Sequence, residues 1–144
     1  MTALFPIHYF AYGSNMDLAQ MQQRCPGARV LGSAVLVGYR FGINARGYAT
    51  VIPDPLQKVH GLVWMITPLH QMTLDHHESV PDHYTRQTMP IQWPQGDQHD
   101  MLIYVAVNAS PGRPQPGYLE KIMAAAKHHR LPENYVQSMA TWQS

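Results

Sequence analysis

Cysteine is nearly absent from this chain: Cys25 is the only one in 144 residues, which excludes an internal disulfide and agrees with a reducing compartment. Flanked by Arg24 and Pro26, it sits where a helix would end, with nothing evident to lower a thiol pKa, and it reads as inert. Charge is also scarce, at 13% of residues with a net charge of +1. No basic stripe is available to hold a nucleic-acid backbone, so nucleic acid is disfavoured as a partner. No segment is apolar for long enough to span a bilayer, and Met1-Thr2-Ala3-Leu4-Phe5-Pro6 lacks the charged start and long apolar stretch of a signal peptide. A soluble, cytoplasmic protein without membrane contact is expected. Glutamate is the last scarcity: Glu78, Glu120 and Glu133 are all there is.

What is present is 45% hydrophobic content, enough for one core and too little chain for two ordinary domains, so residues 1–144 are read as a single domain. The chain is organised around Tyr12-Gly13-Ser14-Asn15, reached from the apolar run His8-Tyr9-Phe10-Ala11 and followed by a helix-like segment from Met16 to Arg24. A strand feeding a small-residue turn into a helix leaves several N–H groups without an internal acceptor, an arrangement suited to anions. Gly13 allows a tight turn and close approach of a ligand, and Ser14 and Asn15 can cap the helix or donate to a bound oxygen. The plain alternative is a strand-to-helix corner with a capping Asn.

Further strands are expected over Val30–Val37, ending near Gly38, over Arg40–Asn44, and over Tyr48–Ile52, closed by Pro53-Asp54-Pro55. Val59–Ile66 carries apolar residues on both alternating faces and predicts a strand covered on both sides. Thr67 and Pro68 then start a helix whose face is Leu69, Met72, Thr73 and His76. Tyr84–Ile91 and Met101–Val107 are the last strands, joined at Gln95-Gly96-Asp97, with Pro90 pushing the first toward a sheet edge. After Pro116, the helical repeat of Tyr118, Leu119, Ile122, Met123 and Ala126 predicts a helix. A shorter one with Tyr135, Val136, Met139 and Trp142 follows Leu131-Pro132. Strands in the middle with helices flanking them indicate an α+β domain.

Glu120 and Glu133 fall in first helical turns, where the helix dipole accounts for them. Glu78 has no such explanation. It stands between a helix and a strand in Leu74-Asp75-His76-His77-Glu78-Ser79-Val80-Pro81, and a partly desolvated carboxylate there would suit proton transfer. The histidine pairs His76-His77 and His128-His129 invite a metal reading, but adjacent residues point to different faces and lack the i, i+4 spacing that chelates well, so no metal site is expected.

Several stretches in order resemble the γ-glutamylcyclotransferase family, within the superfamily that includes the avirulence-induced AIG2-like proteins. They are His8 to Met16 with its Tyr-Gly-Ser-Asn turn, Gly47 to Ile52, Val59 to Trp64, Leu74 to Glu78, Tyr84, and Tyr118 to Tyr135. The resemblance implies a small mixed β-barrel flanked by helices. It implies a small-molecule γ-glutamyl substrate whose own α-amine attacks its side-chain carbonyl, giving 5-oxoproline and a free amine or amino acid. On it, Glu78 is the general acid/base, Gly13, Ser14 and Asn15 hold carboxylate or oxyanion through backbone N–H groups, and Tyr12, Tyr84 and Tyr118 line the pocket. Tyr84 is expected near Glu78 and Tyr118 at the rim. No metal, nucleotide or other cofactor is required, and monomer or homodimer is left open. The family usually places Gly after the glutamate; here Ser79 stands there, and a turn needing positive φ would be strained or altered. Two rival readings share the fold: a binding module without turnover, and a relative that removes a γ-glutamyl protecting group from a biosynthetic intermediate.

Overall fold

The computed structural model describes residues 6–142; the expectation drawn from Met1 to Phe5 lies outside them. Five strands close a barrel in the order β1-β3-β2-β4-β5: β1 Ile7–Ala11, β2 Arg29–Ile43, β3 Ala49–Ile66, β4 Tyr84–Gln92 and β5 Gln98–Ala106. Helices α1 Leu18–Arg24, α2 Pro68–His77, α3 Tyr118–His128 and α4 Glu133–Met139 lie between and after them. The pair β1 and β5 is parallel, with Tyr9 opposite Leu102, and the other pairs are antiparallel. Closure of this mixed sheet is the α+β barrel expected from the resemblance.

The strand over Val59–Ile66 is buried on both faces, with Val59, Leu62, Val63, Trp64 and Ile66 all in the core. It is also a central strand, paired along one edge with β2 and, over Leu62 to Ile66, along the other with β1. Gly61 is part of the fit, because a Cβ there would stand 2.6 Å from Cζ of the Phe10 ring and 2.5 Å from the Ala11 carbonyl oxygen. The helix after Pro116 is also as expected: α3 buries Leu119, Ile122, Ala125 and Ala126. Each large apolar side chain so buried contributes about 1.5–3 kcal/mol.

Three expectations are corrected. The strand ending near Gly38 and the one beginning at Arg40 are one strand, β2. Gly38 does not terminate it because a φ of +88° lets glycine absorb a bulge, seen as the register shift between Val37 and Tyr39. Likewise Pro53-Asp54-Pro55 does not close the strand from Tyr48; β3 runs through it. Val37 faces Lys58 and Tyr39 faces Pro53, so residues 54–57 stand outside the register as a bulge opposite Gly38, and Pro55 has no ladder bond to lose. Pro90 fits the same rule, since β4 meets β2 only at Gln92 opposite Val35.

Helix α2 is the third correction. Leu69 and Met72, read as its inward face, are 69% and 67% exposed, and Leu74 is the buried residue. Polar anchors set the rotation instead. Thr67 and His70 form a reciprocal capping box, His70 Nε2 lies 2.7 Å from the Pro26 carbonyl oxygen, and Asp75 is bonded to the barrel wall.

Candidate functional site

The turn after β1 is short. Ser14–Met16 forms one 3-10 turn, closed by the Met16 amide on Gly13 O and the Asp17 amide on Ser14 O, both at 3.0 Å. The amides of Ser14 and Asn15, at the start of that turn, receive no carbonyl from within it. Gly13 keeps the turn close to β3 and α3: a Cβ there would stand 3.3 Å from the Ala49 Cβ, a tight contact, and 3.5 Å from the Tyr118 hydroxyl.

Neither Ser14 nor Asn15 caps the helix, contrary to the expectation; Asp17 does, its carboxylate accepting the Gln20 amide at 2.9 Å. Asn15 is committed elsewhere. Its Nδ2 donates to the Tyr9 hydroxyl at 3.0 Å, its Oδ1 accepts from Gln20 at 2.8 Å and Arg24 at 3.0 Å, and its carbonyl accepts the Trp64 indole N–H at 2.9 Å. Gln20 also donates to Ser14 Oγ at 2.8 Å.

Across from this loop is the end of α2. Ser79 N–H donates to His76 O at 3.1 Å and Val80 N–H to Asp75 O at 3.0 Å, the paired bonds of a Schellman ending in which the residue after the cap is left-handed. Glu78 is the cap and Ser79, at φ +53°, occupies the position that favours glycine. The strain anticipated for Ser79 is therefore present in the backbone, and the turn keeps its form.

One cavity of about 300 Å³ brings the two halves together, lined by Tyr12, Gly13, Ser14, Asn15, Glu78, Tyr84 and Tyr118 among others. Every residue singled out in the sequence reaches it. The Tyr84 hydroxyl donates to Ala49 O at 2.6 Å, while Ala49 N–H donates to the Tyr118 hydroxyl at 3.1 Å, so the two rings bracket one residue of β3. Tyr12 donates to Tyr104 O at 2.5 Å and is a buried strut as well as a wall.

Sequence reasoning missed Tyr9, Arg24, Arg46, Tyr48, Tyr104 and Lys121, which share the lining. Tyr9 and Tyr104 were hidden as ordinary core positions of strands, and Arg24 as a helix-dipole cation. Lys121 was findable, since it follows Tyr118 by one helical turn on α3; it donates to Gln20 Oε1 at 2.6 Å.

The electrostatics single out one group. Burial pushes the Glu78 carboxyl up to about 7, and the Arg24 guanidinium pulls the other way without cancelling it. Part of the side chain opens onto the cavity, but most of it is enclosed by protein, so desolvation of the charged form dominates. Burial raises the phenols of Tyr9 and Tyr84 far above their ordinary value and Tyr118 to about 12; these rings are neutral hydrogen-bonding groups at any ordinary pH. Cys25, at the cap of α1, is buried and its thiol is raised to about 11, in keeping with an inert role. His129 is engaged with Met16 O at 2.8 Å.

Against known proteins, residues 58–139 match the AIG2-like family, a stretch that holds Glu78, Tyr84 and Tyr118 and more than half of the chain. The chain belongs to the AIG2-like family. It is 28% identical to the mouse protein named gamma-glutamylcyclotransferase over 142 residues, covering 91% of this chain and 76% of that one. The human protein of the same name is 28% identical over 143 residues with the same coverage. A solved gamma-glutamyl cyclotransferase superposes with a TM-score of 0.89 at 25% identity, over 96% of this chain and 89% of that one. The barrel described above is thus the fold of this AIG2-like chain's named relatives. No helix among its described residues is long and apolar enough to cross a membrane.

Proposed function

We propose that this AIG2-like protein is a γ-glutamylcyclotransferase-type enzyme, acting on a small γ-glutamyl substrate and releasing 5-oxoproline with a free amine or amino acid. The observation that carries the reading is a single one: Glu78, with a carboxyl raised to about 7, shares one small cavity with the free-amide turn at Gly13–Asn15.

Each feature has a use in the reaction. The substrate α-amine is an ammonium near neutral pH and must lose a proton before it attacks. Glu78 takes that proton. The amine nitrogen then forms a bond to the γ-carbonyl carbon, and the tetrahedral intermediate places negative charge on oxygen, which the Ser14 and Asn15 amides suit. Glu78 gives its proton to the leaving nitrogen as collapse breaks that bond, and, ionised again, takes the second surplus proton from the ring nitrogen, so that a neutral lactam N–H and a free amine result. Nucleophile and carbonyl belong to one molecule, so the site's main work is to hold the folded conformer, for which the rings of Tyr12, Tyr84 and Tyr118 form the walls. A base near pH 7 suits both transfers, because it accepts from the ammonium and still donates to the departing amine.

The test is release of 5-oxoproline from a panel of γ-glutamyl amino acids and amines by wild type and by Glu78→Gln, which keeps the shape and removes the base. The variant is expected to lose about 10²–10⁴-fold in kcat while still folded. The rival of a binding module rests on Ser79, at φ +53° where glycine is favoured. It would be adopted if wild type bound γ-glutamyl ligands and released nothing. Which leaving group is used follows from the panel's best substrate.

A further inference from the structure

Beyond the cavity wall, the end of α2 that carries Glu78 is tied to the barrel by one side chain. Asp75 accepts a hydrogen bond on Oδ1 from the Tyr104 hydroxyl at 2.7 Å, and its Oδ2 pairs with Arg86 Nη1. Tyr104 lies on β5 and Arg86 opposite it on β4. The same residue closes the helix ending, since Val80 N–H donates to the Asp75 carbonyl. Side chain and main chain of Asp75 thus fix both the helix against the barrel and the turn in which Glu78 is the cap.

Tyr104 also reaches the other half of the site. Its carbonyl accepts the Tyr12 hydroxyl, and its ring meets that of Tyr9 edge to face, with centroids 5.7 Å apart. Tyr9 in turn holds Asn15. The free-amide turn and the carboxyl opposite it are therefore referred to one residue of β5. The apolar side of α2 offers no substitute, because Leu69 and Met72 face water and Leu74 is the buried apolar residue of that helix.

We propose that Asp75 is a positioning residue, which through Tyr104 and Arg86 sets the place of Glu78 relative to the Tyr12–Asn15 turn. It touches no reacting atom. Its carboxylate holds the last turn of α2 against β4 and β5, and without it that turn moves outward and water reaches Glu78. The inference rests on the reading of Glu78 as the base, but its test does not.

The test follows the Glu78 carboxyl by ¹³C NMR titration, its signal assigned by its loss in Glu78→Gln, in wild type, Asp75→Ala, Asp75→Asn and Tyr104→Phe. Groups facing Glu78 electrostatically, Arg24 and the phenols of Tyr9, Tyr12, Tyr84 and Tyr118, are kept in all of them, and the Tyr104 phenol, which also faces it, is lost only in Tyr104→Phe. In Asp75→Ala and Tyr104→Phe the midpoint is expected to fall from near 7 toward the ordinary carboxylate value. Asp75→Asn, which keeps an acceptor for Tyr104, should lie between them and wild type. In the 5-oxoproline assay, kcat should fall about 10- to 100-fold with KM within about threefold, since misplacement of about 1 Å has that effect. Asp75→Ala should add nothing in a Glu78→Gln background.

A wild-type midpoint in folded Tyr104→Phe and Asp75→Ala, or a loss of activity repeated in full in the Glu78→Gln background, would overturn the proposal. Tyr104→Phe keeps the ring and its packing, so it remains decisive if Asp75→Ala does not fold. If wild type releases no 5-oxoproline, the proposed function fails and the titration still decides the role of Asp75.

Discussion

The two walls of the cavity are built on opposite principles. The Tyr12–Asn15 turn is part of the core: Asn15 is 4% exposed, and its side chain and carbonyl make four hydrogen bonds with four residues, donating one and accepting three. The Asp75–Val80 junction sits at a corner, holds a left-handed serine and buries a carboxyl without a hydrogen bond to it among the described residues. One wall contributes stability and presents donors that no side-chain change reaches. The other gives stability up to keep a carboxyl largely out of water. Under the proposed function, which asks one site both to bind a carboxylate firmly and to move protons, one wall of each kind is what is needed.

The comparison breaks most visibly in Glu78→Gln followed by denaturant unfolding across pH. A carboxyl whose folded pKa lies above its unfolded one favours folding in its protonated form, so its contribution is fully present below about pH 4.5 and is lost as pH rises through 7. The glutamine variant carries no such loss. Relative to wild type it should gain about 2–3 kcal/mol between pH 4 and pH 8, the part of the side chain open to the cavity having been allowed for. A gain that does not grow with pH would mean the carboxyl is solvated and the two walls are alike.

Asn15→Ala probes the other wall and should do the reverse. It removes three side-chain hydrogen bonds and leaves the Tyr9 hydroxyl buried without its donor, at a cost of about 2 kcal/mol, read as a lower unfolding midpoint at every pH. If stability were kept, the turn would not be the rigid wall. The smallest effect belongs to Ser79→Gly, which relieves the left-handed backbone and should stabilise by about 0.5–1 kcal/mol after the added chain entropy of glycine. Loss of stability there would show that Ser79 makes contacts that outweigh its strain.

Much of this was legible in the chain itself. The period of Tyr118 to Ala126 and the two-sided apolar pattern of Val59–Ile66 had one reading each, because burial on one face and on two faces leaves different patterns. The Tyr-Gly-Ser-Asn turn and Glu78 could be paired only through the family resemblance, since nothing local says that residues 12–15 and 78 share a cavity. Three features were illegible for physical reasons. Pro53 and Pro55 break most strands, and only knowledge that the ladder bulges over residues 54–57 makes them harmless. Leu69 and Met72 outweigh Leu74 in any hydrophobic count, yet His70 and Asp75 turn the helix the other way through partners 44 and 29 residues distant. Asp17 and Asn15 are equally good caps, and the choice fell to Asp17 because Tyr9, Gln20 and Arg24 claim the Asn15 side chain.

The central claim is that Glu78 works as a base because burial has raised its carboxyl, and the pH dependence of kcat/KM for 5-oxoproline release by wild type tests it most directly. The account predicts a rising limb with a midpoint near pH 7, as the carboxyl gives up its proton in the free enzyme. The small residual rate of Glu78→Gln should lack that limb. A wild-type profile flat from pH 5 to pH 8, or a rising limb kept unchanged in Glu78→Gln, would contradict it.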